Sequence, residues 1–219
     1  SFPTRRSSDL NIDLKFMFKD TECVRMQSGK YSCVIAPKLG ASVLRLRDEE
    51  NGIEVFRYRD DCTLKTINKA REIWGLPTLF LPNRFDKGII KTSDAVYQMP
   101  VNEKKLDNFI HGWVHKREHE IECYSTQDKK VVLVTSYTFD KNDEMYSYFP
   151  VDFKISYTFT LSENGLLQEI YLTNNSDKAL PVSICTHTCL NAPMCDGGME
   201  ESMRMCVPII EKCELEIGR

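Results

Sequence analysis

Several features that mark other classes of protein are missing from this sequence. It has no apolar run long enough to cross a membrane, no basic run longer than a pair, and no internal repeat or linker rich in glycine and proline. With a formal net charge of −3, the lack of basic clusters argues against a nucleic-acid-binding surface. We therefore expect no nucleic-acid partner and no membrane partner, and a neutral ligand fits this composition better than a charged one.

Cysteine is abundant, but the patterns that would give it a structural role are absent. The nine cysteines are an odd number and include no Cys-x-x-Cys pair. Cys185, Cys189 and Cys195 surround His187, yet their spacings do not form the short ligand pairs of structural zinc sites. We expect no metal ion and no disulfide framework, with free thiols buried as small apolar groups in a cytoplasmic protein.

The two ends of the sequence are unusual. Residues 1–10, SFPTRRSSDL, look like the translation of a sequencing-library adapter, and a native disordered basic arm is the alternative. The sequence ends at Ile217-Gly-Arg219 in what reads as the middle of a strand. We therefore expect residues 1–10 to be non-native and residues 11–219 to form a single domain that is truncated at its C-terminus.

Strand patterns dominate the sequence. Residues 153–161 alternate strictly between apolar side chains at odd positions and polar ones at even positions. Turn residues at 162–165 and 174–177 separate this strand from a second at 166–173 and a third at 180–187. This pattern predicts an antiparallel meander.

Similar strand patterns recur upstream, and a single segment, residues 63–73, favours a short helix. The upstream strands are predicted at 31–36, 42–47, 53–57, 119–124 and 131–139. Many strands at short intervals with almost no helix predict an all-β protein, a large antiparallel β-sandwich that is incomplete at its C-terminus.

The third strand of the meander carries His187, a candidate for proton transfer. Val182 and Ile184 share one parity, whereas Cys185 and His187 share the other. His187 is therefore expected to face a cleft on the side opposite the aliphatic core. A histidine with a purely structural role is the alternative.

The other three histidines, His111, His115 and His119, are spaced four residues apart. On a helix this spacing would place them on one face where a metal ion could bind, but residues 112–114 are poor helix formers. We take His111 as the ligand-facing residue and the other two as surface or rim histidines.

Asn83 and Arg84 follow a proline and are expected to lie at a turn. The guanidinium of Arg84 offers a fixed fork of donors that suits the vicinal hydroxyl and ring oxygens of a sugar. The amide of Asn83 can both donate and accept. An ordinary surface ion pair is the alternative for Arg84.

Three segments together resemble the aldose 1-epimerase (galactose mutarotase) family. Its Gly-x-Pro…Phe-x-x-Asn-Arg segment is matched by Gly75, Pro77, Phe80, Asn83 and Arg84 with the same spacing.

The second and third segments extend this resemblance from about residue 31 to about residue 191. The family's Asn-x-x-His-Gly segment is matched by Asn108, His111 and Gly112. Its His-Pro-Tyr-Phe-Asn segment is present as His187-Thr-Cys-Leu-Asn191, in which the histidine and asparagine are kept and the three residues between them differ.

The resemblance implies an enzyme that interconverts the α and β anomers of a free aldohexose such as galactose or glucose by acid–base ring opening, without a cofactor. It implies that His187 protonates the ring oxygen while His111 and Arg84 position that oxygen and stabilise developing charge. Asn83 and Asn191 are then expected to bind the substrate. We expect a monomer or a weak dimer.

The catalytic base is not placed by the resemblance. The family uses a glutamate close to the C-terminus, and none of Glu211, Glu214 and Glu216 lies in a segment like that motif. We therefore expect the 219-residue chain by itself to be inactive.

Two other functions remain open from the sequence. A non-catalytic carbohydrate-binding or sugar-sensing protein on the same fold is the first. A hexose-phosphate epimerase is the second, and it would need extra cations converging on a phosphate, for which Lys87 and Lys91 are weak candidates.

Overall fold

The structure, a computed structural model, describes residues 10–57, 61–206 and 208–211. All of the predicted non-native segment except Leu10 lies outside these residues, and so do Glu214, Glu216 and the C-terminal strand end. Leu10 itself is half-buried and packs against the hydrophobic core.

Within the described residues the chain is built mainly of antiparallel strands. Five strands that follow one another form the first sheet: β1 (Asn11–Phe18), β2 (Thr21–Ser28), β3 (Tyr31–Ala36), β4 (Ser42–Asp48) and β5 (Ile53–Glu54). Short strands come next: β6 (Thr78–Leu79), β7 (Arg84–Asp86), β8 (Ile89–Lys91), β9 (Val96–Gln98) and β10 (Asn108–Ile110). The second sheet has four strands, β11 (Glu120–Gln127), β12 (Lys130–Phe139), β13 (Phe153–Ser162) and β14 (Gly165–Asn174), and β15 (Cys185–Thr186) lies beyond it.

The core lies between the two large sheets. Every odd residue of β13 from Phe153 to Leu161 is fully buried, and the even residues are partly exposed, because successive side chains of a strand point to opposite faces. Val24 and Ile35 of the first sheet belong to the same buried cluster as these residues. The prediction of an all-β antiparallel sandwich is therefore confirmed.

The helical content is small. The predicted helix at 63–73 is divided into α1 (Leu64–Lys69) and a 3₁₀ turn at Arg71–Ile73. Thr63 caps α1, since its hydroxyl accepts a hydrogen bond from the backbone N–H of Thr66 at 3.2 Å. Further 3₁₀ turns lie at Pro37–Leu39, Val114–Lys116 and Glu200–Ser202. Among the residues that the structure describes, no helix has the length and apolar character needed to cross a bilayer.

The prediction of a third meander strand at 180–187 is wrong in both the length of the strand and its pairing partner. Only β15 is a strand within 180–187, and it pairs with β6 instead of β14. Val182 is 74% exposed and Ile184 is 37% exposed, so neither contributes an aliphatic core face. Pro181 has no N–H to donate to a ladder, which helps to explain why the chain leaves the sheet here.

The sequence reasoning also missed β1 and β2. In β1 the apolar residues Ile12, Leu14, Phe16 and Phe18 alternate with other side chains, and this period of two was the signal that could have located the strand. Residues 153–162 and 165–174 form the predicted hairpin, with Ser162 opposite Gly165.

The thiols are only partly buried. Cys23, Cys33 and Cys62 are buried as expected, and burial raises the pKa of Cys23 and Cys33 to about 12, which leaves both unreactive. The exposed positions of Cys123 and Cys195 differ from the prediction. All eight cysteines within the described ranges are free thiols.

His115 and His119 were predicted to be surface or rim residues, and this prediction is wrong because both are 2% exposed. The 3₁₀ turn at Val114–Lys116 directs His115 inward, and the imidazole of His119 stacks on the ring of Tyr157 with centroids 4.7 Å apart. Burial lowers the pKa of both imidazoles to about 3.

These two imidazoles are expected to make folding stability depend on pH. Their pKa falls from about 6.5 in the unfolded chain to about 3 in the folded protein, so below pH 6.5 the unfolded state binds more protons. The free energy of unfolding should therefore fall as pH drops from about 7 to 5, with a slope for each imidazole that approaches about 1.4 kcal/mol per pH unit well below pH 6.5. Urea denaturation at several pH values measures this slope. His119→Phe keeps an aromatic ring against Tyr157 and should remove about half of this slope, because His115 still contributes. An unchanged slope in this variant would contradict the assignment.

Candidate active site

The segment around residues 75–84 is joined to His187 by a short ladder. Thr78 and Leu79 of β6 pair with Thr186 and Cys185 of β15, respectively. The backbone N–H of His187 then donates to the carbonyl oxygen of Pro77 at 3.2 Å. These contacts hold His187 beside the Gly75–Arg84 motif, although residues 180–184 are not a strand.

A second short ladder joins the same segment to His111. Arg84 in β7 lies opposite Ile110 in β10, and the backbone N–H of His111 donates to the carbonyl oxygen of Asn83 at 3.0 Å. An isolated bridge connects Phe80 with Gly112. The three motif segments are thus brought together by backbone pairing between residues that are distant in sequence.

The central feature of the site is a pair of imidazoles. The rings of His111 and His187 lie 5.3 Å apart between centroids at an angle of 77°, and both residues are half-buried. The pKa of His111 is lowered, mainly by burial and then by the neighbouring His187; Arg84 also lowers it, whereas Glu72 and Glu103 raise it. His111 is therefore neutral at pH 7.

Gly112 allows a close approach that fixes the position of His111. Its φ is +61°, and a Cβ at this position would lie 2.1 Å from the carbonyl oxygen of Phe80. No other residue type fits between these two backbone segments without displacing one of them.

Gly112→Ala is expected to lower the free energy of unfolding by about 3 kcal/mol or more, because strain at positive φ adds to a clash with backbone atoms. Gly52→Ala is the matched control, since Gly52 has a φ of +64° but open space within 4 Å of where its Cβ would lie. The control should lose only about 1 kcal/mol. Equal losses in urea denaturation of the two variants would show that the approach to Phe80 is unimportant.

Arg84 lies at the site and forms an ion pair with Glu103. Its Nε is 2.8 Å from Oε2 of Glu103, and its Nη2 is 2.9 Å from Oε1. Oε2 also accepts a hydrogen bond from the side-chain amide of Asn108, which is fully buried, at 2.8 Å. The Nη1 nitrogen of Arg84 is not used by these contacts. The sequence reasoning missed Glu103, since its only signal was proximity to the Asn108 motif.

The two asparagines proposed as substrate ligands lie in different surroundings. Asn83 is exposed, with a φ of +63°, directly beside Arg84. Asn191 instead pairs with β5 and the residue after it: its side-chain amide donates to the carbonyl oxygen of Glu54 at 3.2 Å, and its N–H donates to that of Val55 at 3.1 Å. It lines a separate cavity of about 400 Å³ with Arg45 and other polar residues. The structure therefore brings His111, His187, Asn83 and Arg84 together by backbone pairing and gives Asn191 a backbone-bracing position.

Metal ligation is not supported by this geometry. Within residues 10–57, 61–206 and 208–211, no three His, Cys, Asp or Glu side chains are grouped so that they could hold a metal ion. The site offers imidazoles, a guanidinium and amides, which suit proton transfer to, and hydrogen bonding with, a polyhydroxylated molecule.

Known proteins share this fold. A galactose mutarotase-like protein from Clostridium acetobutylicum is 30% identical, with a TM-score of 0.83 over 87% of this chain and 57% of that chain. The galactose 1-epimerase of Lactobacillus acidophilus is 15% identical, with a TM-score of 0.60 over 77% of this chain and 50% of that one. A galactose mutarotase-like protein from Lactobacillus casei is 16% identical, with a TM-score of 0.51 over 71% and 45% of the two chains.

This chain thus spans about half the length of the solved structures that it matches. The family model described as aldose 1-epimerase matches residues 22–202, which include all three motif segments and both ladders that join them. The chain therefore belongs to the aldose 1-epimerase family.

Proposed function

We propose that the protein interconverts the α and β anomers of a free aldohexose, with galactose and glucose as the first candidates. The observation that carries this proposal is the half-buried pair of His111 and His187, with rings 5.3 Å apart, on the motif segments of an aldose 1-epimerase. Mutarotation requires that one proton is delivered to the ring oxygen and another is removed from the C1 hydroxyl. Ordinary acid–base side chains can carry out both transfers.

In this proposal His187 is the general acid. It protonates the ring oxygen as the bond from C1 to that oxygen breaks, and it takes the proton back when the ring closes after rotation about C1–C2. An imidazole is suited to this exchange, because its ordinary pKa lies near neutral pH.

His111 supports the acid by remaining neutral. Two imidazolium ions at this separation would repel each other, and burial further disfavours a charge on His111. The uncharged ring of His111 is then left to hydrogen-bond the ring oxygen. Nδ1 of His111 is buried without a hydrogen-bond partner among the described residues, so this ring is not tied to another protein group through that atom.

Arg84 and Asn83 are proposed to orient the sugar. Glu103 engages Nε and one hydrogen of Nη2 of Arg84, so both hydrogens of Nη1 remain for sugar oxygens. The exposed amide of Asn83, on the neighbouring residue, can serve a hydroxyl group in either role. We assign Asn191 a lesser part in substrate binding, because its amide donates to Glu54.

The base that removes the C1 hydroxyl proton is proposed to be a carboxylate other than Glu103. Hydrogen bonds from Arg84 and then Asn108 lower the pKa of Glu103, which makes it a weak base. Both of its oxygens are also engaged, so accepting a proton would break the ion pair.

A non-catalytic sugar-binding protein is the second candidate, and the engagement of Glu103 is the observation that favours it. Two measurements separate the candidates. Galactose titration followed by NMR should shift the imidazole signals of His111 and His187. For a form of the protein that carries the carboxylate base, polarimetry of freshly dissolved α-galactose should show faster relaxation than in buffer. Binding without acceleration by that form would favour the second candidate, and the absence of both effects with galactose and with glucose would exclude the proposed function.

A further inference from the structure

Glu103 makes more contacts at the site than a surface ion pair requires. Its Oε1 accepts hydrogen bonds from Nε and Nη2 of Arg84 at 3.1 and 2.9 Å, and its Oε2 accepts from Nε at 2.8 Å and from Asn108 at 2.8 Å. We call these three residues the Arg84–Glu103–Asn108 clamp. When an arginine is held through two adjacent nitrogens, both the position and the plane of its guanidinium group are fixed.

The clamp is itself anchored to the strand that leads to His111. The backbone N–H of Glu103 donates to the carbonyl oxygen of Asn108 at 3.0 Å, and the N–H of Asn108 donates back to Glu103 at 3.3 Å. The preceding residue, Asn102, binds both the N–H and the carbonyl oxygen of Ile110 through its side chain, at 2.7 and 3.0 Å. The carboxylate of Glu103 is therefore placed by the same strand, β10, that immediately precedes His111.

We propose that Glu103 is a positioning residue for sugar recognition, which holds the guanidinium of Arg84 so that Nη1 is presented to the substrate. This inference rests on the proposed function, because it assumes that the sugar lies beside Arg84 and His111. Glu103 does not touch the substrate and acts only through Arg84. The negative charge of Glu103 also offsets the positive charge of Arg84 near His111, because Glu103 raises the pKa of His111 and Arg84 lowers it.

A double-mutant cycle on galactose affinity tests this dependence. Glu103→Gln keeps the size of the side chain but removes its charge, and it should weaken binding by about tenfold, since small displacements of a positioning group have effects of this order or larger. Arg84→Ala should weaken binding at least as much. The double variant should be no weaker than Arg84→Ala alone, because Glu103 has nothing left to position. Additive losses, or no loss in Glu103→Gln, would overturn the proposal.

Glu122→Gln is the matched control. Glu122 also pairs with a cation, Lys154, and with the hydroxyl of Ser136, but it lies on the second sheet. Its replacement should leave galactose affinity unchanged. A loss equal to that of Glu103→Gln would indicate a general effect on folding and would overturn the positioning role.

A titration of His111 by NMR supplies a readout that needs no sugar. The charged groups that act on His111 are His187, Glu72, Arg84 and Glu103. Removing the charge of Glu103 should lower the pKa of His111, and Arg84→Ala should raise it. If the pKa of His111 is unchanged in both variants, the clamp does not act at the site. Failure of the proposed function is distinguishable, because the wild-type protein would then bind no aldohexose, or bind one without accelerating mutarotation, while these shifts in the pKa of His111 would still be seen.

Discussion

His187→Asn is expected to lower kcat for anomer interconversion by about a hundredfold or more, the scale of general acid catalysis. The effect should be seen in any form of the protein that accelerates mutarotation. Asparagine can still donate a hydrogen bond but cannot deliver a proton to the ring oxygen and take it back. Polarimetry of freshly dissolved α-galactose at several concentrations separates kcat from KM, and KM should change much less than kcat.

Thr188→Ala is the control for this experiment, because Thr188 is the exposed neighbour of His187 and has no role in the proposed reaction. His187 is only half-buried, so its replacement by asparagine should leave the midpoint of thermal unfolding close to that of the wild-type protein. A near-native rate in His187→Asn would remove this residue from the mechanism and leave His111 as the only imidazole of the pair to act as the acid.

Phe153→Ala is expected to have the largest effect on stability, about 3–5 kcal/mol in the free energy of unfolding. The ring of Phe153 is fully buried, stacked on Phe139 with centroids 4.8 Å apart and in edge contact with Phe80 at 5.1 Å. Truncation to alanine removes these contacts and leaves a cavity between the sheets. Urea denaturation followed by circular dichroism measures the loss.

Lys154→Ala is the matched control for Phe153→Ala, because the next residue of β13 points to the opposite face. Lys154 is partly exposed and forms an ion pair with Glu122, so its loss should change the free energy of unfolding by less than about 1 kcal/mol. A loss below about 1 kcal/mol for Phe153→Ala would contradict the position of the core between the two large sheets. Phe80 belongs to the 75–84 segment, so the same core supports the site.

The sequence was sufficient to predict features that depend on local period and turn chemistry. The strand at 31–36 was predicted with the bounds that β3 has in the structure, and the hairpin of β13 and β14 was predicted within one residue at each end. Strict alternation of apolar and polar residues, together with a turn that contains Gly165, specifies such elements independently of the rest of the chain. The motif spacings identified the family in the same way, because each motif lies within a short stretch of sequence.

The tertiary structure decided which of these elements meet and which polar groups are buried. The pairing of β15 with β6 joins residues more than a hundred positions apart, and no local pattern in 180–187 contains that partner. The same is true of His119, which was predicted from the sequence to be a surface or rim histidine but lies against Tyr157 of β13. The ion pair of Arg84 with Glu103 also depends on how the chain folds back at β10. The alternation of apolar and polar residues along a strand determines which side chains share a face. Burial and ion pairing depend instead on neighbouring residues that are present only once the sheets have packed.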